Sequence, residues 1–562
     1  MEVKNKMWAQ IAIGAGIVVA ICAIFAILFA TVWRMDLKVL AVQVGEEQTV
    51  RVGWSSNKNV DKVVINITHN GEKVESKTIT DKAILKNGYA EVYAYYGKQK
   101  VSVTAYSGAM SKASDTTCVD VYASEYNIAP ITATMPVTIF TLSLDEVTRG
   151  GTIPTFVWFK RSGAWDWDNL PASVYKMPVA TNAEFLKSNE VKMYDKTSAW
   201  VKELYELNPN SKFNFYYNDY FAYGWMDATY GNNLPKENYN VVLLSDGTES
   251  FNCFNRHFDN ENAEANYAEM KAKYNQLTEQ VRRIGSYEEE NNVYSVNADD
   301  SKEYAYVMVK EEPNVEWWLT RINGTMATNN ATMFAELSAN EKVKVKDLNS
   351  LLKALDDTQK QKVKDLYKFS DTMFEKAEKE GKEIMVILGT WTVTEDANNF
   401  AEYVGATIAN YGDKYVYYYK GHPKNPTQSV PGKLEKLNKM GLIDVDSTIP
   451  AELILFFNPD AFVSGYSSTT FVSTKADKCC ALFKVPKNIS SGDEMSYKDN
   501  MQVFMTKVTS DNATYGSIVT SDKCILLEYK DTTKYDIAIY DANKNTMKYY
   551  KVNGDNFTAV SK

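Results

Sequence analysis

The stretch YVYYYKGHPKNP, Tyr415 to Pro426, decides how the second half of this 562-residue chain is interpreted. Its first five residues are aromatic or β-branched without polar alternation, which is typical of a strand buried on both faces of a parallel sheet. The strand is predicted to end at Lys420-Gly421, and His422 follows at once. The chain holds 3 histidines, and this one stands beyond the carboxyl end of a strand, where open α/β sheets bind ligands. It is therefore a candidate catalytic acid, with a simple turn residue as the alternative.

Similar apolar runs alternate with helical patterns on both sides of this stretch. The predicted strands include VTIFTLSL, PTFVWFKRSGAWDWD, KFNFYYNDY, YNVVLLSDG, EIMVILGTW and CCALFKV. Between them, AEANYAEMKAKYNQLTEQVRRIG has the 3.6-residue apolar period of a helix that ends at Gly285. This alternation predicts two parallel sheets covered by helices, one before about residue 380 and one after it. The final residues are predicted to form an antiparallel β module.

The segment from Leu37 to about Ser124 has a different, all-β pattern. Short alternating runs such as QTVRVGW and KVVINITHNGEKV are separated by turn residues, which favours a small β-sandwich. YGKQKVSVTAY resembles the late strands of a bacterial immunoglobulin-like domain. That resemblance implies a spacer or a sugar-binding stalk.

The segment IAIGAGIVVAICAIFAILFATV, Ile11 to Val32, is uncharged and long enough to cross a bilayer of ~30 Å as a helix. Trp8 and Trp33 bracket it at interfacial positions. A cleaved signal peptide has a shorter apolar core, so an uncleaved anchor is predicted. Charges on the two sides are nearly balanced, and the expected orientation places the bulk of the chain outside.

Composition excludes several function classes. The net charge is −9, and no basic stripe is present, so nucleic acid is not an expected partner. The 6 cysteines include no CxxC pair, which argues against a zinc site and a disulfide framework. His69 and His257 are not interpreted as metal ligands, and no metal or cofactor is expected.

Three predicted strand ends carry groups that suit transfer from an activated phosphate. They are Ser245-Asp246-Gly247, His422-Pro423 and Tyr466-Ser467-Ser468-Thr469. A carboxylate can take the proton of an incoming hydroxyl, a histidine can protonate a leaving phosphate, and hydroxyl groups can bind phosphate oxygens. Each group alone also occurs as an ordinary turn or helix cap, and their order and setting together are more specific.

These motifs together resemble those of bacterial GT-B sialyltransferases and polysialyltransferases, which have an acidic pair before Gly, then HP, then paired Ser/Thr. KGHP followed by IPAELILFFNPDAFVSGYSST is similar to the nucleotide-binding lobe of that family, and the resemblance covers about residues 135 to 490. It implies that His422 is the general acid towards the leaving CMP phosphate. It also implies that Ser467 and Ser468 contact that phosphate, and that Pro423 and Glu452 lie at the nucleotide.

The acidic pair departs from the family pattern. The family's general base is the first acidic residue, and here Ser245 holds that position, so only Asp246 is acidic. Asp246 or Glu249 takes the role of base, the alignment is shifted by one, or transfer activity is lost. Teichoic-acid glycerophosphotransferases share the HP and SS features without the DG motif, and they form an enzymatic alternative.

Aromatic segments in the first α/β unit are further candidates for an acceptor surface. WFKRSGAWDWDNLP, Trp158 to Pro171, is interpreted either as a sugar platform or as a packed hairpin. Asp219 and Tyr220 are candidates for the lining of the cleft.

The prediction is a membrane-anchored, multidomain protein with an all-β stalk and a two-lobed α/β GT-B fold of Rossmann-like lobes. The expected domains are an anchor (1–35), an immunoglobulin-like sandwich (36–128), an acceptor-side lobe (129–382), a nucleotide-binding lobe (383–490) and a β-rich module (491–562). The expected activity is metal-independent transfer of sialic acid or a related acidic sugar from a CMP donor to a surface glycan. The alternative class is an extracytoplasmic, non-catalytic glycan-binding or cell-surface protein on a degenerate GT-B scaffold.

Overall fold

The computed structural model divides the chain into two compact units, residues 1–125 with 199–212, and residues 126–198 with 213–562. It describes residues 18–24, 34–108, 111–159, 165–178, 190–219, 223–247, 250–284 with short gaps, 304–320 and 331–389. It also describes residues 404–423 and 426–465, the first range with short gaps, and strand segments between 470 and 561.

The first unit contains two antiparallel sheets, ordered β1-β2-β5 and β4-β3-β6-β7. Its strands are β1 (Leu37–Gln43), β2 (Thr49–Ser56), β3 (Lys62–His69), β4 (Glu72–Ile79), β5 (Tyr89–Tyr93), β6 (Gly97–Ser107) and β7 (Ser111–Val121). Alternate residues are buried along β2, β3 and β6, as expected for strands with one face on a core. The all-β prediction for this segment is confirmed, whereas its immunoglobulin-like character stays a prediction.

The second unit contains two larger sheets. The first has the order β10-β9-β8-β11-β12-β13-β14, and its pairs β10–β9, β9–β8, β11–β12, β12–β13 and β13–β14 are parallel. Its strands are β8 (Glu125–Ile131), β9 (Thr155–Phe159), β10 (Val174–Lys176), β11 (Lys212–Asn218), β12 (Tyr239–Leu244), β13 (Val315–Leu319) and β14 (Val343–Val345). β9, β11 and β12 are buried along nearly their whole length, which explains their predominantly apolar and aromatic sequence.

The second sheet has the order β17-β16-β15-β18-β19-β20-β21-β22-β23. Its strands are β15 (Glu383–Leu388), β16 (Tyr415–Lys420), β17 (Ile443–Val445), β18 (Phe462–Gly465), β19 (Cys479–Lys484), β20 (Cys524–Glu528), β21 (Ile537–Asp541), β22 (Thr546–Asn553) and β23 (Asn556–Val560). The pairs β17–β16, β16–β15, β15–β18 and β18–β19 are parallel. The pairs β19–β20, β20–β21, β21–β22 and β22–β23 are antiparallel. The expected antiparallel strands at the end of the chain therefore extend the sheet of β15 to β19.

The described helices are short apart from α4 and α6. They are α1 (Lys82–Asn87), α2 (Thr134–Leu142), α3 (Leu144–Thr148), α4 (Glu190–Leu207), α5 (Tyr223–Met226), α6 (Ala263–Ile284), α7 (Ala305–Glu311), α8 (Ala331–Ala339), α9 (Leu348–Ala354), α10 (Asp357–Leu366), α11 (Glu375–Glu380), α12 (Lys433–Lys439) and α13 (Ala451–Phe457). α6 ends just before Gly285, as the apolar period predicts.

The strand predicted for VTIFTLSL is wrong, because this segment lies in α2. Residues 136–142 are all buried, so the segment has no polar face whose spacing could distinguish a helix from a strand. The hydroxyl groups of Thr138 and Thr141 donate to the carbonyl oxygens of Thr134 and Val137, at 2.8 and 2.7 Å. These bonds satisfy the buried hydroxyl groups inside the helix and allow β-branched residues there.

Most of the predicted membrane span, Ile11 to Val32, lies outside the described residues. Residues 18–24 are described, and they are helical with exposed side chains such as Val18 and Val19. Among the helices that the structure describes, none is long and apolar enough to cross a membrane.

A hydrophobic cluster joins the first sheet of the second unit to helix α13. It contains Val137 and Phe140 of α2, Leu352 of α9 and Leu453 of α13, with Phe456 packed against it. α13 belongs to the part of the chain that carries β15 to β18, whereas α2 follows β8. The helix that begins near Glu452 is therefore anchored on the first lobe.

Candidate active site

In the first lobe, three adjacent parallel strands end at one edge of the sheet, and their side chains are bonded to one another there. Asp219 directly follows β11 and is 2% exposed. One of its oxygens accepts a hydrogen bond from the Asp246 backbone N–H at 3.1 Å, just beyond β12. The other accepts from the indole Nε1–H of Trp317 in β13 at 2.9 Å. The structure therefore brings the candidates Asp219 and Asp246 together, whereas Tyr220 lies outside the described residues.

Ser245 faces into the loop that it begins. It is fully buried, its Oγ donates to Ser250 Oγ at 3.1 Å, and it accepts from the Gly247 N–H at 3.2 Å. Asp246 is half-buried, and its N–H also donates to Ser250 Oγ at 2.8 Å. Gly247 has a φ of 71°, which the turn needs and which L side chains rarely adopt. Asp246 is thus the more accessible of the two, and Glu249 lies outside the described residues.

In the second lobe, close glycine contacts set the position of His422. Gly389 follows β15, and its N–H donates to the carbonyl oxygen of Lys420 at 2.9 Å. A Cβ added at Gly389 would lie 2.6 Å from Tyr419 Oη and 3.2 Å from the backbone nitrogen of His422. The backbone of the His422-Pro423 turn therefore lies directly against the end of the neighbouring strand, and both residues are half-buried.

Glu452 lies in the first turn of α13, beside the third strand end of this lobe. Its Oε1 accepts a hydrogen bond from Thr470 Oγ1 at 2.9 Å. Thr470 comes shortly after β18, which ends at Gly465. Ser467 and Ser468 lie outside the described residues. Of the described residues that flank them, Gly465 pairs with Leu388 of β15, and Thr470 is bonded to Glu452.

A buried lysine also lies at this edge of the sheet, and none of the sequence motifs pointed to it. Lys420 is 4% exposed, and its Nζ donates to the carbonyl oxygens of Gly421 and Ser447 at 3.1 and 3.0 Å. Burial lowers the pKa of Lys420 to about 8, although the negative charges of Glu452 and Asp446 act in the opposite direction. The signal was present in the sequence, because a lysine that ends a strand buried on both faces is itself buried.

Helix α2 lies against the loop of Asp246 and, further along, meets Tyr367. Met135 lies against Gly247, with its Cγ 3.8 Å from where a Cβ of that glycine would be. Further along α2, Thr141 Oγ1 and Tyr367 Oη are 3.2 Å apart. Burial raises the pKa of the Tyr367 phenol, and the charge of Glu452 acts in the same direction. α2 therefore packs against the loop of Asp246, and Tyr367 links its other end electrostatically to Glu452.

The tryptophans of WFKRSGAWDWDNLP favour packing over a sugar platform. Trp158 and Trp165 are buried, and Trp167 packs against the cluster that contains Trp165.

Across the described residues, no group of three or more His, Cys, Asp or Glu side chains is arranged to hold a metal ion. The absence of a metal or cofactor requirement stays a prediction.

Comparison with known proteins yields only structural neighbours, because no family model and no curated protein matches the chain. The 2,6-sialyltransferase of Photobacterium sp. JT-ISH-224, solved with the donor product CMP and the acceptor substrate lactose, has a TM-score of 0.53 at 13% identity. The match covers 84% of this chain and 92% of that chain. A sialyltransferase from Photobacterium damsela has a TM-score of 0.49 at 15% identity, over 83% and 96% of the two chains. An α-2,3-sialyltransferase from Photobacterium phosphoreum has a TM-score of 0.49 at 13% identity, over 69% and 96%.

At 13% identity, the match to the Photobacterium sp. JT-ISH-224 enzyme shows that the two chains share a fold. The two mixed α/β sheets of the second unit thus form a GT-B-like arrangement, in agreement with the prediction from the strand-end motifs.

Proposed function

We propose that this chain is a glycosyltransferase that transfers sialic acid, or a related acidic sugar, from a CMP donor to a glycan acceptor. The observation that carries the proposal is the placement of His422 and Glu452 at one sheet edge, with Asp246 at the corresponding edge of the other sheet. The similar fold of a sialyltransferase solved with CMP and lactose supports the choice of donor and acceptor classes.

Each candidate residue is assigned one role in the proposed reaction. His422, as imidazolium, protonates the phosphate oxygen that leaves with CMP while the bond from that oxygen to the sugar breaks. Asp246 accepts the proton of the acceptor hydroxyl group, whose oxygen forms the new glycosidic bond. Glu452 contacts the nucleotide, Pro423 stiffens the turn beside it, and Ser467 and Ser468 contact the CMP phosphate.

Release of CMP from CMP-sialic acid by the purified full chain in detergent tests this function, with UDP-N-acetylglucosamine as the competing donor. The proposal predicts that only the CMP-sugar is cleaved, and more quickly when lactose is present. Cleavage of the UDP-sugar alone would identify a glycosyltransferase of another class.

The burial of Ser245 favours a second candidate, a non-catalytic glycan-binding protein on the same fold. Ser245 holds the family's base position but turns into its own loop, where it cannot reach an acceptor. Glycan binding without cleavage of any CMP-sugar, measured on the same preparation, would favour this candidate.

We also propose that residues 11–32 anchor the chain with its bulk outside the cell. Protease added to intact cells should digest the chain beyond Arg34. Full protection in intact cells, with digestion after lysis, would contradict this orientation.

A further inference from the structure

Asp219 is a buried carboxylate at the edge of the first sheet, and the proposed reaction gives it no role so far. It is 2% exposed, and a buried carboxylate is costly unless hydrogen-bond donors surround it. Its two oxygens have different partners, the backbone N–H of Asp246 and the indole N–H of Trp317. The partners come from the loop after β12 and from the middle of β13, so one side chain ties the end of β11 to both neighbouring strands.

The chemistry of these partners calls for a carboxylate and not an amide. Both are N–H donors, and neither can accept a hydrogen bond. An asparagine at position 219 would accept from one of them and turn its own NH₂ group towards the other. The site therefore needs two acceptor oxygens, which the ionised aspartate supplies.

The preceding residue extends the same contact to a fourth strand. Asn218 is fully buried, and its Oδ1 accepts from the Thr132 N–H at 2.9 Å, immediately after β8. β8, β11, β12 and β13 are neighbours in the sheet. Asn218 and Asp219 thus connect the ends of four adjacent strands at the edge that carries Asp246.

We infer that Asp219 is a positioning residue, which fixes the backbone of Asp246 so that the Asp246 carboxylate is presented to the acceptor hydroxyl group. This role rests on the proposed glycosyl transfer. Ser250 holds the Asp246 N–H from inside the loop, and Asp219 holds it from the sheet. The carboxylate that the family pattern places at position 245 has no counterpart there, and the Asp219 carboxyl group lies beside the loop instead.

The test compares Asp219→Asn and Trp317→Phe in the full chain. Asp219→Asn should lower kcat for transfer to lactose by about 10- to 100-fold, because a small misplacement of a catalytic group has effects of that size. The affinity for CMP should stay within about twofold, because the nucleotide contacts belong to the other lobe. Trp317→Phe keeps an aromatic ring but removes the indole N–H together with the pyrrole half of the indole, and should lower kcat less, in the same direction; Trp318→Phe has the same loss of size. Amide hydrogen exchange at Asp246 should speed up in both variants.

Two control variants separate positioning from general damage. Trp318→Phe removes an indole N–H that donates to Glu316, outside the site. Glu312→Gln changes another poorly exposed carboxylate of the same lobe, which accepts from Tyr230 and Tyr274 just before β13 begins. Both should keep the transfer kcat within about twofold of the wild type, even where they lower the melting temperature.

Two results would overturn the positioning role while leaving glycosyl transfer intact. One is a transfer kcat for Asp219→Asn that matches the wild type, and the other is an equal loss in Glu312→Gln at the same melting temperature. A wild type that cleaves no donor at all would overturn the proposed function, and with it the role of Asp219.

Discussion

Replacing Lys420 by methionine should change how the stability of the protein depends on pH. The wild-type ammonium is buried between the carbonyl oxygens of Gly421 and Ser447, and burial lowers its pKa to about 8 from the ordinary lysine value of 10.5. Methionine has a similar length and no charge. The substitution therefore removes the titration and both hydrogen bonds while it keeps most of the packing.

The magnitude follows from linkage between protonation and folding. Between pH 8 and 10.5 the unfolded chain holds the Lys420 proton more firmly than the folded chain does. The free energy of unfolding contributed by this group therefore rises with pH in that window. Its unfavourable contribution is about 3 kcal/mol at pH 7 and about 2 kcal/mol at pH 9. The wild type should gain about 1 kcal/mol over this interval relative to Lys420→Met.

Urea unfolding of both proteins at pH 7 and pH 9, followed by tryptophan fluorescence, measures this difference. Lys439→Met is the matched control, because Lys439 lies exposed on α12 and pairs with Glu435. The control should follow the pH dependence of the wild type. Parallel pH profiles for the wild type and Lys420→Met would show that the ammonium is not buried in the charged form and would refute the reasoning.

Three further predictions concern the two sheet edges. Asp246→Asn should abolish transfer while CMP still binds, as measured by calorimetry, and loss of CMP binding would contradict the division of roles between the lobes. Ser245→Asp should not create or raise activity, because position 245 is buried and its side chain faces Ser250; a strong rise in CMP release would show that the family's base position is functional here. Gly389→Ala should destabilise the protein by about 1–3 kcal/mol and slow donor cleavage, because the new Cβ would meet Tyr419 Oη and the backbone of His422. Gly53→Ala, whose nearest contact is at 3.8 Å, is its control, and equal melting temperatures for the two variants would argue against the close contact at Gly389.

Several features of the fold could be predicted because they depend on local pattern. The unbroken apolar run of Tyr415 to Lys420 predicts a strand in a parallel sheet, and β16 has those bounds. The turns at Asp246-Gly247 and His422-Pro423 fall at strand ends for the same reason. VTIFTLSL could not be assigned correctly, because burial on all sides removes the periodicity that distinguishes a helix from a strand.

The contacts within the site depend on residues far apart in the sequence. Asp219 and Trp317 are separated by 98 positions, and only the sheet order β11-β12-β13 brings them together. The inward orientation of Ser245 likewise depends on Ser250 and on the turn at Gly247. Lys420 could have been identified, since its burial follows from the strand that it ends, but its partner Ser447 could not.

The rate of CMP release from CMP-sialic acid by the wild type and by His422→Ala tests the central claim most directly. His422 stands at the strand end against Gly389, and its loss should leave the fold and CMP affinity unchanged. The account predicts that donor cleavage is slower by about 10²–10⁴, the usual contribution of general acid–base catalysis. Equal rates for the two proteins would make His422 a turn residue and contradict the assignment of the active site.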